Sequence, residues 1–421
     1  MSGHAPPDAT THPSAPSPPE LVCLGESMVT FLPVRPGRLA DVPAFTRAIG
    51  GAESNVACAL AAAGHHVRWV GRVGRDGFGD HLVETIRAYG VDVAAVARDP
   101  HRPTGVYFRT DADRATDAHE VAYYRAGSAA SAMSPATVPY ASVADARILH
   151  LSGITAALSA DCLALMRELT APRPGRPLVS FDVNHRPGLW RGGDAAEVLL
   201  ELARGADMVF VGADEAEELW GAGSPGAIRA VLAEPTVLVV KRGGAGAVLF
   251  ERRADPAPTR PLPETGGAPP DPVPPADLVR PADPVRPPDP VRPPAAPSHA
   301  GRAESRPHAE TASATDIRTS VPAPRVDVIA PVGAGDAFAA GFLSATLRGL
   351  GPRDRLRHGH LMAAAALTAP GDLATPPRRD HADRLAALDE AAWGTLHLGP
   401  GWTGGHHGPD RTGDDQEVRT P

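Results

Sequence analysis

RVDVIAPVGAGDAFAAGFLSATLRGL, residues 325–350, runs from a β-branched segment through a Gly-Ala-Gly turn into an apolar helix. Phe338, Phe342 and Ala345 recur at the spacing of one helix face, so a strand, a glycine turn and a buried helix are expected in that order. A helix that starts at such a turn leaves its first amides without carbonyl partners, at the positive end of its dipole. The N–H groups of Gly333, Ala334, Gly335 and Asp336 therefore make an anion site. Asp336 has two readings there. It is an ordinary first-turn acid, or it is a base that takes the proton of a hydroxyl attacking a phosphoryl group held on the amides.

Upstream, the same strand-to-helix step repeats. The apolar runs 21–26, 67–74, 147–154, 178–184, 207–212 and 236–243 are each followed by a helix-like segment, such as 52–64 or 80–90, both closing on Gly. This βαβα rhythm predicts an α/β fold with a mostly parallel central sheet and helices on both faces.

Two stretches break the rhythm. TGVYFRTDADRATDAHEVAYYRAGS, 104–128, reads as a β-hairpin, with Tyr107 and Arg109 on one face of its first strand and Tyr123 and Arg125 on one face of its second. Such a hairpin can serve as a lid. The second break, 253–324, contains DPVPPA, DLVRPA, DPVRPP and DPVRPP at a six-residue period, with Asp271, Asp277, Asp283 and Asp289 in register. So much proline supplies no ladder or helix, and a solvated insert is expected, inert or docking proline-binding partners. Apolar β sequence stops at Val248–Phe250 and resumes at Val326–Val328, so the fold is expected to close across it. Residues 1–19 and 400–421 have the composition of disordered tails.

A net charge of −8 argues against nucleic-acid or anionic-membrane surfaces, and 43% hydrophobic residues suffice for a large core. Cys23, Cys58 and Cys162 each sit in apolar runs, none in a C-x-x-C pair, and read as buried thiols. With no leader-like N-terminus and no long apolar run, a cytoplasmic protein acting on a small soluble substrate is expected. Of 41 basic residues one is a lysine, Lys241, and coding bias accounts for the arginines but not for the exception. A Walker A loop is excluded for want of its lysine, and no protein-kinase H-R-D or D-F-G is present.

GAGDAFAAGF (333–342) and GGAESNVACALAAAGHHVRWVGRVGRDGFG (50–79) resemble the two signatures of the PfkB, or ribokinase-like, carbohydrate kinases. The resemblance spans roughly 20–252 and 325–375. Within the family the chain is most similar to 2-keto-3-deoxygluconate kinases, through GESMVTFLP, TGVYFR, YYRAGSAAS, LHLSGITAAL, FDVNHRPGLW and VVKRGGAGA. The resemblance implies a three-layer α/β/α sandwich over 20–252 and 325–399, with a small β-sheet lid from about 30–50 and 104–128. It implies ATP and Mg²⁺, a sugar-acid substrate phosphorylated at a primary hydroxyl, O6, and association of copies through lid contacts.

Asp336 is then the implied catalytic base, and Gly333, Ala334 and Gly335 the anion hole. Gly51, Asn55, Tyr107, Tyr123, Arg125 and Arg186 surround the sugar acid. Lys241, Gly243 and Gly246, with Gly333 and Gly335, border the nucleotide, and Glu215 orders magnesium through water. The residues agree on substrate type: Arg125 and Arg186 are planar donors suited to a carboxylate, although each is equally readable as a surface arginine, and the tyrosines as sheet aromatics. Three positions depart from the family pattern: Gly212 replaces the Asn of N-x-x-E, Ala330 an Asp before the G-A-G-D turn, and His360 an adenine-side Asn. Other readings are fructokinase, ribokinase, nucleoside or 5-dehydro-2-deoxygluconate kinase chemistry, and a non-catalytic sugar-acid sensor.

Overall fold

The structure, a computed structural model, describes residues 18–35, 37–110, 120–190, 192–252, 316–330, 332–371 and 373–404. Its central sheet has eight strands: β1 (Leu21–Leu24), β4 (Val67–Val70), β9 (Ile148–Ser152), β10 (Leu178–Asp182), β11 (Met208–Gly212), β12 (Val237–Lys241), β13 (Ala247–Arg252) and β14 (Asp316–Val321). They lie in the order β14-β13-β12-β11-β10-β9-β1-β4, parallel except for the antiparallel pairs β12–β13 and β13–β14.

The inner strands are apolar on both sides because both faces are covered. Successive residues alternate between two cores. Leu21, Cys23, Phe210 and Val239 pack toward the helices Ala52–Ala62, Ala334–Leu347 and Pro352–Leu367. Val22, Leu24, Val209 and Val240 pack toward Ala160–Thr170 and Ala195–Gly205. The three cysteines are buried free thiols, as expected. Among the described residues no helix is long and apolar enough to cross a membrane.

β2 (Met28–Pro33), β3 (Phe45–Gly50), β7 (Val106–Arg109) and β8 (Val121–Tyr124) form a second sheet in the order β3-β2-β7-β8. The hairpin pairs Tyr107 with Tyr123 directly, their rings 5.4 Å apart. Its turn, 111–119, lies outside the described residues. Phe31 and Phe108 stack on the opposite face at 4.7 Å. Two short pairs complete the strands: β5 (Arg72–Gly74) with β6 (Ala97–Asp99), and β15 (Arg325–Val326) with β16 (His397–Leu398).

The strand that closes the sheet differs from expectation. It is β14, Asp316–Val321, whereas RVDVIA contributes only Arg325–Val326, outside the central sheet. β14 is an edge strand in which four of six residues are polar, so it lacks the apolar content of the inner strands, while Pro322 and Pro324 part it from the next segment. The insert therefore ends before residue 316 rather than at 324, and 253–315 and the outer parts of both tails lie outside the described residues.

Candidate active site

Side chains from the carboxyl ends of β1, β10, β11 and β12 meet the start of the helix Ala334–Leu347 around a cavity of about 970 Å³, in the position where open parallel sheets bind ligands. Gly333 caps that helix in the left-handed region at φ 77°, which a glycine adopts without strain. The first helical bond runs from Ala337 N–H to Gly333 O at 2.9 Å, so the N–H groups of Ala334, Gly335 and Asp336 have no helical carbonyl to meet. All four of these residues line the cavity.

Asp336 accepts a hydrogen bond from Asn55 Nδ2 at 2.9 Å. Burial pushes its pKa up to about 7; the Asn55 bond opposes that rise, Asp182 adds to it by repulsion, and Lys241 and Arg186 pull it down. A carboxyl poised near neutrality suits a general base. Asn55 is held in the first turn of Ala52–Ala62, where Gly51 lets the chain pass close to β2: a Cβ on Gly51 would stand 2.4 Å from Glu26 O. Asn55 Oδ1 is buried and has no partner among the described residues.

On the other side, Lys241 Nζ donates to both carboxylate oxygens of Asp182, at 3.0 and 2.8 Å. Burial disfavours the ammonium, but Asp182 and Glu215 outweigh it and hold the lysine above its ordinary pKa. Glu215 accepts from Gly212 N–H (2.7 Å) and from His185 N–H (3.1 Å). Gly212, lacking a side chain, leaves room for this bend, since a Cβ there would lie 3.0 Å from Glu215 Oε2. Lys241 and Glu215 line the cavity; Gly243 and Gly246 do not. Gly243 (φ 52°) and Gly246 (φ 101°) instead shape the turn after Lys241, and a Cβ on Gly246 would stand 2.2 Å from Val321 O.

Gly51, Asn55, Tyr107, Tyr123, Arg125 and Arg186, all anticipated around the substrate, line this one cavity. The two arginines differ in state. Arg125 is buried and paired with Glu26, which also accepts from Ser128 Oγ at 2.8 Å. Its Nε is buried and has no partner among the described residues. Arg186 is exposed, donates Nη1–H to His185 O at 2.9 Å, and has no carboxylate within salt-bridge distance among the described residues.

Sequence reasoning missed three acids. Glu26 and Asp182 follow or end strands, and an acid at the carboxyl end of a parallel strand is the signal that was available. Glu53 is buried, accepts from Ser152 Oγ (2.8 Å) and Thr155 Oγ1 (2.7 Å), and is pushed up to about 7 by burial. The other departures sit inside the protein. Ala330 is buried and donates its N–H to Leu367 O at 3.3 Å. His360 lies edge-on to Phe338 (5.2 Å), donates Nε2–H to Val321 O at 3.2 Å, and is driven down to about 4 by burial, so it is neutral.

The profile of the "pfkB family carbohydrate kinase" family matches residues 18–279 and 313–379. A 2-dehydro-3-deoxygluconokinase of Bacillus subtilis is 30% identical over 371 residues, covering 86% of this chain and 93% of that protein. A PfkB protein from Polaromonas sp. JS666 superposes with a TM-score of 0.63 at 29% identity, over 88% of this chain and 100% of that one. A sugar kinase from Pyrococcus horikoshii in complex with ATP shares the fold at a TM-score of 0.63 and 22% identity, over 89% and 99%.

Proposed function

Because the chain belongs to the pfkB family of carbohydrate kinases, we propose that it moves the γ-phosphoryl group of ATP to the primary hydroxyl, O6, of 2-dehydro-3-deoxygluconate (2-keto-3-deoxygluconate). The observation that carries this is the Asn55–Asp336 pair at the open helix start: a carboxyl near neutrality, held by the Asn55 amide beside helix amides that have no carbonyl partner. Asp336 takes the alcohol proton as the oxygen attacks phosphorus, and the amides of Ala334 to Asp336 receive the phosphoryl oxygens.

Arg186, exposed in the cavity wall and without a carboxylate at salt-bridge distance among the described residues, supports a carboxylate-bearing substrate over a neutral sugar. The name of the Bacillus subtilis relative supports the same choice. Tyr107 and Tyr123, on the inner face of the second sheet, cover the sugar, and that sheet acts as a lid that excludes water. On the nucleotide side stand Lys241 and the tight turn of Gly243 and Gly246.

The donors fit magnesium in an indirect role. Both oxygens of Glu215 are engaged by main-chain N–H groups, and among the described residues no three His, Cys, Asp or Glu side chains converge into a cage. That suits an ion carried by the phosphates, with Glu215 orienting its waters. When bound it neutralises phosphate charge.

Self-association through the lid belongs to the same reading: Phe31, Phe45, Phe108 and Tyr124 cluster through ring contacts beside the second sheet.

The test is a panel of sugar acids and neutral sugars with Mg-ATP, scored for ADP release, with the product located by NMR. Turnover confined to neutral sugars overturns the substrate, and ATP binding without turnover on any of them favours the sensor.

A further inference from the structure

Lys241 is the one lysine among 41 basic residues, and a bias that favours arginine elsewhere has spared it. Its ammonium ends at the transfer site. It lies 2.8 Å from Asp182 Oδ2, and 3.7 Å from the point a Cβ on Gly335 would occupy, beside the amides that cradle the phosphoryl group. Both of its hydrogen bonds among the described residues go to Asp182. An ammonium has three N–H donors in a tetrahedral array, so one is left for a ligand in the cavity that Lys241 lines. An arginine would satisfy Asp182 as a planar fork, as Arg229 does Asp316, and would suffice for a purely structural pair.

Resting on the kinase reading above, we propose that Lys241 is a catalytic residue whose ammonium holds the phosphoryl group in transit, and that Asp182 is the residue that positions it. In this step the bond from the acceptor oxygen to the γ-phosphorus forms and the bond from that phosphorus to the bridging oxygen of ADP breaks. The acceptor proton passes to Asp336. Lys241 keeps its protons and donates one hydrogen bond to a non-bridging phosphoryl oxygen. The charged or titratable groups around it are Asp182 on β10, Glu215 after β11, Asp336 on the helix Ala334–Leu347 and His150 on β9.

The experiment compares wild type, Lys241→Ala, Asp182→Asn and the neutral pair Lys241→Gln/Asp182→Asn for kcat and for KM of sugar acid and ATP. Lys241→Ala should lose about a hundredfold or more in kcat, the scale of one lost transition-state donor. Methylammonium or ethylammonium should restore part of it saturably, and tetramethylammonium, which has no N–H, should not. Asp182→Asn removes the charge that keeps Lys241 protonated, so the alkaline limb of its kcat profile should move to lower pH. The neutral pair guards against the case in which Lys241→Ala, with Asp182 stranded, does not fold. Wild-type kcat in the neutral pair, or Lys241→Ala within about threefold of wild type, overturns the role of Lys241 alone. Absence of turnover in the wild type overturns the kinase reading with it.

Discussion

Replacing Asn55 by alanine tests the base directly. The bond from Asn55 Nδ2 to Asp336 (2.9 Å) favours the ionised carboxyl, so its loss raises the pKa from about 7. A hydrogen bond to a charged acceptor is worth about 1.5–3 kcal/mol. At about 1.36 kcal/mol per pKa unit that is about one to two units, and water entering from the cavity should hold the shift near the lower end, about one. The base works ionised, so kcat/KM climbs with pH through this pKa, and the acid limb must move to higher pH. At pH 7 the ionised fraction falls from about a half to about a tenth, roughly a fivefold loss, which all but vanishes by about pH 9. The assay is kcat/KM for the sugar acid from pH 5 to 9 for both proteins, with ATP saturating. A limb that stays put, or a loss equal at every pH, would refute the claim that Asp336 is the base and Asn55 tunes it.

Two further outcomes follow from the same geometry. Asp336→Asn should lower kcat about a thousandfold or more while raising Tm at pH 8, with the Tm gain fading toward pH 5. The sign follows from a folded-state pKa near 7 above an unfolded value of 3.8: stability is full below about pH 4 and lost as pH rises through 7, a loss the amide escapes. Calorimetry at the two pH values checks it, and a Tm gain equal at both would count against it. Replacing residues 253–315 by Asn-Gly should leave kcat and KM within about twofold of wild type, because Arg252 and Asp316 face each other across β13 and β14 as the ends of a two-residue hairpin do. Loop closure eases by about 0.6 kcal/mol for each of roughly five halvings in length, so urea denaturation should show no loss of stability. Loss of activity in the shortened chain would mean that 253–315 takes part in function.

Much was legible in the sequence because much of it is local. Strands β1, β9, β10, β11 and β12 announced themselves as apolar runs between glycine-terminated helices, and a strand buried on both faces must be apolar throughout. The turn Gly333–Asp336 was legible too, since a helix start exposes its own amides whatever packs around it. Strand β14 was not, because an edge strand with polar residues carries no apolar signal. Neither was the state of the arginines: nothing near Arg125 in the chain says that Glu26 pairs with it, or that Arg186 has no carboxylate at salt-bridge distance among the described residues.

The sequence by itself determined the alternation of strand and helix, the parallel strands of the central sheet, the hairpin of the second and the glycine turn before Asp336, because each depends on side-chain period and backbone chemistry within a few residues. Only the tertiary structure decided which charges meet. Asn55 reaches Asp336 across 281 positions and Lys241 reaches Asp182 across 59. Those contacts, together with burial, bias the protonation of Asp336 and fix the place of the Lys241 ammonium, and they exist only because a parallel sheet brings the carboxyl ends of distant strands to a single edge.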